Sequence, residues 1–145
     1  MELRGNLGIT QMIKQTLISR VLNKYVFTEH VFGINDCNII LADYLDSFLE
    51  TNYKDQLYQK YDDIESGLVL AKKIGLKNPK FILDKHAYTV QDIKDGDILL
   101  SKLKTQKHYS VSIAFRGQAI AENDGTYQMI PIGELKPDLI YRLGE

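Results

Sequence analysis

Cys37 is the single cysteine of this 145-residue chain, and its surroundings give it a chemical option. It follows Asn35 and Asp36, whose side chains suit a helix N-cap, so it falls where the first helical turn begins. Free backbone N–H groups and the helix dipole favour negative charge there. A thiolate is such a charge, so the position predicts a lowered thiol pKa. A nucleophilic cysteine also needs a base. The chain offers His30, His86 and His108. His108 is the preferred partner because it opens an alternating stretch and lies on its small, polar face. His86 ranks second and His30 third. The competing reading is an inert core thiol, since cysteine is among the most buried residue types and Cys37 sits on the apolar face of its helix.

A third polar residue follows from strand register. If Arg116-Gly117 is a two-residue hairpin loop, Phe115 pairs with Gln118, Val111 with Glu122 and Ser110 with Asn123. Asn123 then shares the face of His108 as its diagonal neighbour and can hold the ring tautomer, the third role in a Cys-His-Asn arrangement. Glu122 points to the other side, and a one-residue slip would exchange the two. The plainer reading of Asn123-Asp124-Gly125 is turn chemistry.

The elements that must position these residues are helices first and strands second. Ile9, Met12, Ile13, Leu17 and Val21 recur at helical spacing and predict a helix over about residues 8–24. Val26, Phe27, Val31 and Phe32 suit a buried connector, which Gly33 breaks. Cys37, Ile40, Leu41, Tyr44, Leu45 and Phe48 keep one apolar face of a second helix ending near 51–52. A third helix is predicted across 62–74, with Ile64, Leu68, Ala71 and also Val69 facing inward and Gly75 stopping it. Residues 81–90 are ambiguous. Beyond Asp95-Gly96-Asp97 the period changes to that of strands. Ile98–Leu100, residues 108–115, 119–123, 127–130 and 139–143 predict a small antiparallel sheet. The reading is one α+β domain over 1–145, with a helical part at about 8–75 and a sheet part at about 96–143.

Composition narrows the function classes. The length suits one domain with one core. A formal net charge of -1 offers no basic excess for nucleic acid. One cysteine excludes an intrachain disulfide and a thiolate-rich zinc site. The three histidines lack metal-ligand spacing, so neither a metal nor a cofactor is expected. The segment 9–22 is amphipathic and interrupted by Lys14, Gln15 and Arg20, so it reads as neither a signal peptide nor a membrane span. No membrane insertion is expected.

Three segments then resemble a known family: Phe32-Gly33-Ile34-Asn35-Asp36-Cys37 opening a helix, Gly96-Asp97-Ile98-Leu99, and His108-Tyr-Ser-Val-Ser-Ile on a strand. They are similar to the NlpC-type cell-wall cysteine peptidases, and within them to short phage-encoded proteins of tail gene regions. The resemblance covers roughly residues 25–143 and implies a papain-like fold. It implies Cys37 as nucleophile and His108 as base; Asn123 rests on the register argument alone. The chain departs from the family pattern at Phe32, where a tryptophan is usual, and at Asn38-Ile39, where active peptidases carry a small Ser-Gly pair.

What the resemblance implies is a virion or tail-associated phage protein, made in the host cytoplasm, with other phage structural proteins as partners. As an enzyme it would be a cysteine peptidase or amidase acting on peptidoglycan peptides: Cys37 attacks a carbonyl, His108 moves the proton, Asn123 orients His108, and the Cys37 N–H helps bind the oxyanion. The alternative is a catalytically silent structural component of a tail or particle. The departure at Asn38-Ile39 favours the silent reading, and the Cys-His pair the enzyme.

Overall fold

Helices occupy the first part of the chain and strands the second. The computed structural model describes the backbone of residues 3–102 and 109–144, and the side chains of residues 11–102 and 109–144. Five helices come first: α1 (Leu3–Tyr25), α2 (Cys37–Phe48), α3 (Tyr53–Leu57), α4 (Ile64–Lys73) and α5 (Pro79–His86). Six strands follow: β1 (Ala87–Thr89), β2 (Ile98–Lys102), β3 (Tyr109–Phe115), β4 (Gln118–Asn123), β5 (Thr126–Pro131) and β6 (Leu139–Leu143). They form one sheet in the order β1-β6-β2-β3-β4-β5, with every pair antiparallel. The chain is α+β.

The stretch 81–90 divides between α5 and β1. Asn78 caps α5 by accepting from the Phe81 N–H at 2.9 Å, and Pro79 sits in its first turn, where a missing N–H costs nothing. The Arg116-Gly117 loop has both residues at positive φ, as a type I′ turn requires, and Phe115 pairs with Gln118.

α2 is the central helix. Ile39, Ile40, Leu41, Ala42, Asp43, Tyr44 and Leu45 are all buried on it. Its large side chains meet Ile18 and Val21 of α1 and Leu100, Ile113, Ile120 and Tyr141 of the sheet in one core. Full burial of each such side chain is worth roughly 1.5–3 kcal/mol. Polar ties fix its orientation. Asp43 accepts from the Tyr25 hydroxyl at 2.6 Å and pairs with Lys24 at 3.1 Å and Lys54 at 3.6 Å, joining α1, α2 and α3. The Tyr44 hydroxyl donates to the Gly96 carbonyl at 2.7 Å, clamping α2 onto the start of β2. Gly96 has φ +90, and a Cβ there would lie 3.0 Å from both Ile18 and Tyr44. Beside it Asp97 is buried and accepts from Arg142 at 2.9 and 2.8 Å, linking the β2 start to β6.

Two expectations about burial fail. On α1, Ile18, Val21, Leu22 and Tyr25 are buried, but Met12 and Ile13 are 71% and 55% exposed. The helix overhangs the core, so its apolar period outruns its packing. The connector 26–34 is not a buried plug, for Phe27 is 79% exposed. It is held by backbone bonds to β5 instead: Phe27 N–H to the Tyr127 carbonyl, Tyr127 N–H to the Thr28 carbonyl, and His30 N–H to the Gly125 carbonyl.

Candidate functional site

The segment before α2 is built around one carboxylate. Asp36 accepts from the backbone N–H groups of Asn38 at 2.9 Å and Ile39 at 3.0 Å, which caps the helix. Its second oxygen accepts from Gly33 N–H at 2.8 Å and from the Tyr61 hydroxyl at 2.5 Å. Asp36 is therefore buried yet fully occupied. Asn35 does not cap. Its side chain ties the connector, accepting from Val31 N–H at 2.7 Å and donating to Thr28 and to the Glu29 carbonyl. Gly33 has φ +81, and a Cβ there would stand 2.0 Å from the Tyr61 carbonyl oxygen. The aromatic-Gly-x-x-Asp-Cys pattern thus has a structural meaning: the glycine admits Tyr61, and the aspartate holds both Tyr61 and the helix start.

Cys37 begins α2, half-buried and facing β3. Its thiol donates toward the Tyr109 carbonyl at 3.9 Å. Burial pushes the thiol pKa up to about 12, and the Asp36 charge adds to this; the backbone amides of Val111 and Cys37 pull the other way, and Glu122 raises it further. The lowered thiol pKa anticipated from the helix start is therefore corrected. The helix start does offer N–H groups, but Asp36 takes those of Asn38 and Ile39 and brings its own negative charge to the sulfur.

Cys37 lines a cavity of about 320 Å³, within the range of small-molecule sites. One end is formed by Cys37, His30, Phe32, Glu122 and Tyr127, and the walls run along Leu41 and Leu45 of α2 to Leu68 and Ala71 of α4 and Ile82 of α5. α4 forms one wall without a single buried residue of its own. Ile64, Leu68 and Ala71 do face inward as their spacing predicts, but toward this space; Val69, expected with them, points outward and is 67% exposed. Tyr127 is 2% exposed, and its hydroxyl is buried with no hydrogen-bond partner among the described residues. Burial, followed by the nearby Cys37, Asp36 and Glu122, raises its pKa.

The residues singled out from sequence are distributed unevenly. Cys37 is at the cavity. His108 lies outside the described residues. Asn123 is exposed at the end of β4, opposite Thr126, and is not among the cavity-lining residues. Glu122, assigned to the far side, lines the cavity instead. The reason is the face that α2 covers. Cys37 meets the strand face of Tyr109 and Val111 rather than that of the serines, and Glu122 lies beside Val111 in the continued register. His86 is elsewhere, its Nε2 2.6 Å from the Tyr53 hydroxyl, and its pKa is lowered by burial and by Lys85. His30 reaches the cavity, its ring edge-on to Phe32 with centroids 4.5 Å apart.

Tyr127 and Glu122 are the site residues that sequence reasoning passed over. The signal was available for Glu122, since the Phe115–Gln118 register was derived correctly and the strand face that α2 covers decides which of Glu122 and Asn123 meets the cavity. Nothing in the local sequence marks Tyr127, because it reads as an ordinary inward-facing strand aromatic.

Chemically, this end of the cavity presents a neutral thiol, a free phenolic donor and carboxylates, at the head of an aliphatic channel. Among the described residues no group of three or more His, Cys, Asp or Glu side chains is placed to hold a metal ion, and no helix is long and apolar enough to cross a membrane. Comparison with protein-family models, with curated proteins and with solved structures yields no match.

Proposed function

We propose that this chain is a papain-like domain of a phage virion or tail protein in which the Cys37 cleft serves for binding and not for peptide hydrolysis. The family side of this reading is supported by the resemblance of residues 32–37, 96–99 and 108–113, and by a cysteine-led helix packed on an antiparallel sheet. The observation that carries the silent side is the thiol itself: it donates toward the Tyr109 carbonyl and has Asp36 and Glu122 as its charged neighbours. A carbonyl oxygen and negative charges facing the sulfur oppose the thiolate that acyl transfer needs. Asn38-Ile39 next to the sulfur points the same way.

The rival reading, a peptidoglycan endopeptidase, requires His108 to supply the base. Alkylation by iodoacetamide across pH separates the two. The expected result is slow reaction at neutral pH, with the rate rising only above the range of a free thiol, and an unchanged profile in His108→Ala. Rapid neutral alkylation that His108→Ala abolishes would overturn the proposal. In parallel, purified protein is expected to release no muropeptides, and phage carrying Cys37→Ser to assemble and infect normally.

A further inference from the structure

The Cys37 cavity has a polar end and an apolar length, and the two together specify a ligand. At the polar end the Tyr127 hydroxyl is buried with no partner among the described residues. A buried, unpaired hydroxyl carries a desolvation penalty that a bound acceptor removes. The acceptor meets Asp36 and Glu122 at the same end, so a third carboxylate is disfavoured there. The acceptor is an uncharged oxygen.

The apolar length is set by α2. Cys37, Leu41 and Leu45 follow one another on the cavity side, a rise of about 12 Å at 1.5 Å per residue. Opposite them, Leu68 and Ala71 of α4 line the cavity on a helix whose apolar side is only half-buried, with Leu70 and Ala71 touching the core. An amphipathic helix folds by covering its apolar face, and this one faces space of ligand size. Its N-terminus is nonetheless well specified, with Asp63 and Ser66 forming a reciprocal capping box. The helix start is thereby fixed by its own cap.

We propose that the cavity binds a neutral amphiphile, an acyl amide or ester of medium chain length, with its carbonyl oxygen on the Tyr127 hydroxyl beside Cys37 and its aliphatic tail between α2 and α4. The inference deepens the binding role given to the cleft and rests on that reading. Binding is noncovalent.

The test uses octanamide and octanoate, which share a tail and differ in head charge, titrated calorimetrically into the full chain. Octanamide is expected to bind, and octanoate to bind ~10-fold more weakly or not at all, since like charges repel in a poorly hydrated site. Tyr127→Phe removes one oxygen and keeps the ring, and should weaken octanamide about five-fold, the worth of a neutral hydrogen bond. Ala71→Phe fills the tail space from a half-buried position; it should abolish octanamide binding, with a retained cooperative thermal transition checking that the fold is kept. Equal affinity of wild type and Tyr127→Phe, tighter binding of octanoate, or no effect of Ala71→Phe would each overturn the proposal. So would capture of an acetylated Leu-Leu-Leu amide with no response to octanamide, which would give the cavity to a partner's peptide chain. The iodoacetamide profile is read without either amphiphile, so a reactive thiolate would sink the binding role separately from any failure of octanamide.

Discussion

α2 and α4 are both short amphipathic helices with aspartate caps, and the fold treats them in opposite ways. α2 buries seven of its twelve residues and is tied to α1, α3 and the β2 start through Asp43 and Tyr44. α4 buries none, and its apolar side faces the cavity. The same periodicity in sequence therefore serves two ends. On α2 it builds the core, and on α4 it lines a cavity.

Paired truncations test that contrast most strongly. Leu45 is 0% exposed, so Leu45→Ala should cost about 3 kcal/mol by loss of transfer energy and a larger cavity. Leu68→Ala, on the half-buried wall, should cost less than about 1 kcal/mol. Urea unfolding at neutral pH measures both, and equal costs would erase the distinction.

The caps differ likewise. Asp36 holds four donors while 3% exposed, and Asp36→Ala should cost about 2–3 kcal/mol through lost capping and unsatisfied buried groups. Asp63 caps α4 at the surface, and Asp63→Ala should lower the melting temperature distinctly less than Asp36→Ala does.

A smaller effect appears only in acid. Burial opposes ionisation of Asp43, but the hydrogen bonds from Tyr25 and Lys24 and the charges of Lys54 and Lys24 outweigh it, and its pKa lies below the usual carboxylate range. A depressed folded pKa gives stability that is present above the unfolded value, roughly 3.9, and is lost as pH falls through the folded one. Asp43→Asn should therefore flatten the decline of stability below about pH 4, compared with wild type. An unaltered acid limb would remove Asp43 from the ties that distinguish α2.

The smallest expected effect is also the most specific. Tyr44→Phe leaves the Gly96 carbonyl without its donor and should cost about 1 kcal/mol. Tyr127→Phe gives up no hydrogen bond among the described residues, so its thermal midpoint should match or exceed that of wild type. A clear loss of stability in Tyr127→Phe would mean that the hydroxyl is engaged in the unliganded protein.

The extent to which the chain could be read from sequence follows the same division. α2 was readable to its first residue, because Asp36 and a strict apolar face are local signals. The β3–β4 hairpin was readable in register, because Arg116-Gly117 dictates a two-residue turn. α3 and the split of residues 81–90 into α5 and β1 were not readable, being short elements specified by Leu57, Leu83 and Tyr141 meeting across the fold. At the site, Cys37 was found, but its electrostatics were read with the wrong sign. Helix dipole and cap compete for the same N–H groups, and only burial decides which prevails. Asn123 was misplaced by a choice between two strand faces that turns on which face α2 covers, a tertiary fact.

The connector at residues 27–30 has a consequence for how copies of this protein behave together. β5 is a terminal strand of the sheet, and such strands invite pairing with a neighbour's backbone. Here Phe27, Thr28 and His30 already occupy backbone groups of Tyr127 and Gly125, with a bridge between Glu29 and Thr126. The opposite border, β1, is three residues long. One border is thereby covered over Gly125–Tyr127 and the other is short, which leaves little open edge for strand exchange between copies.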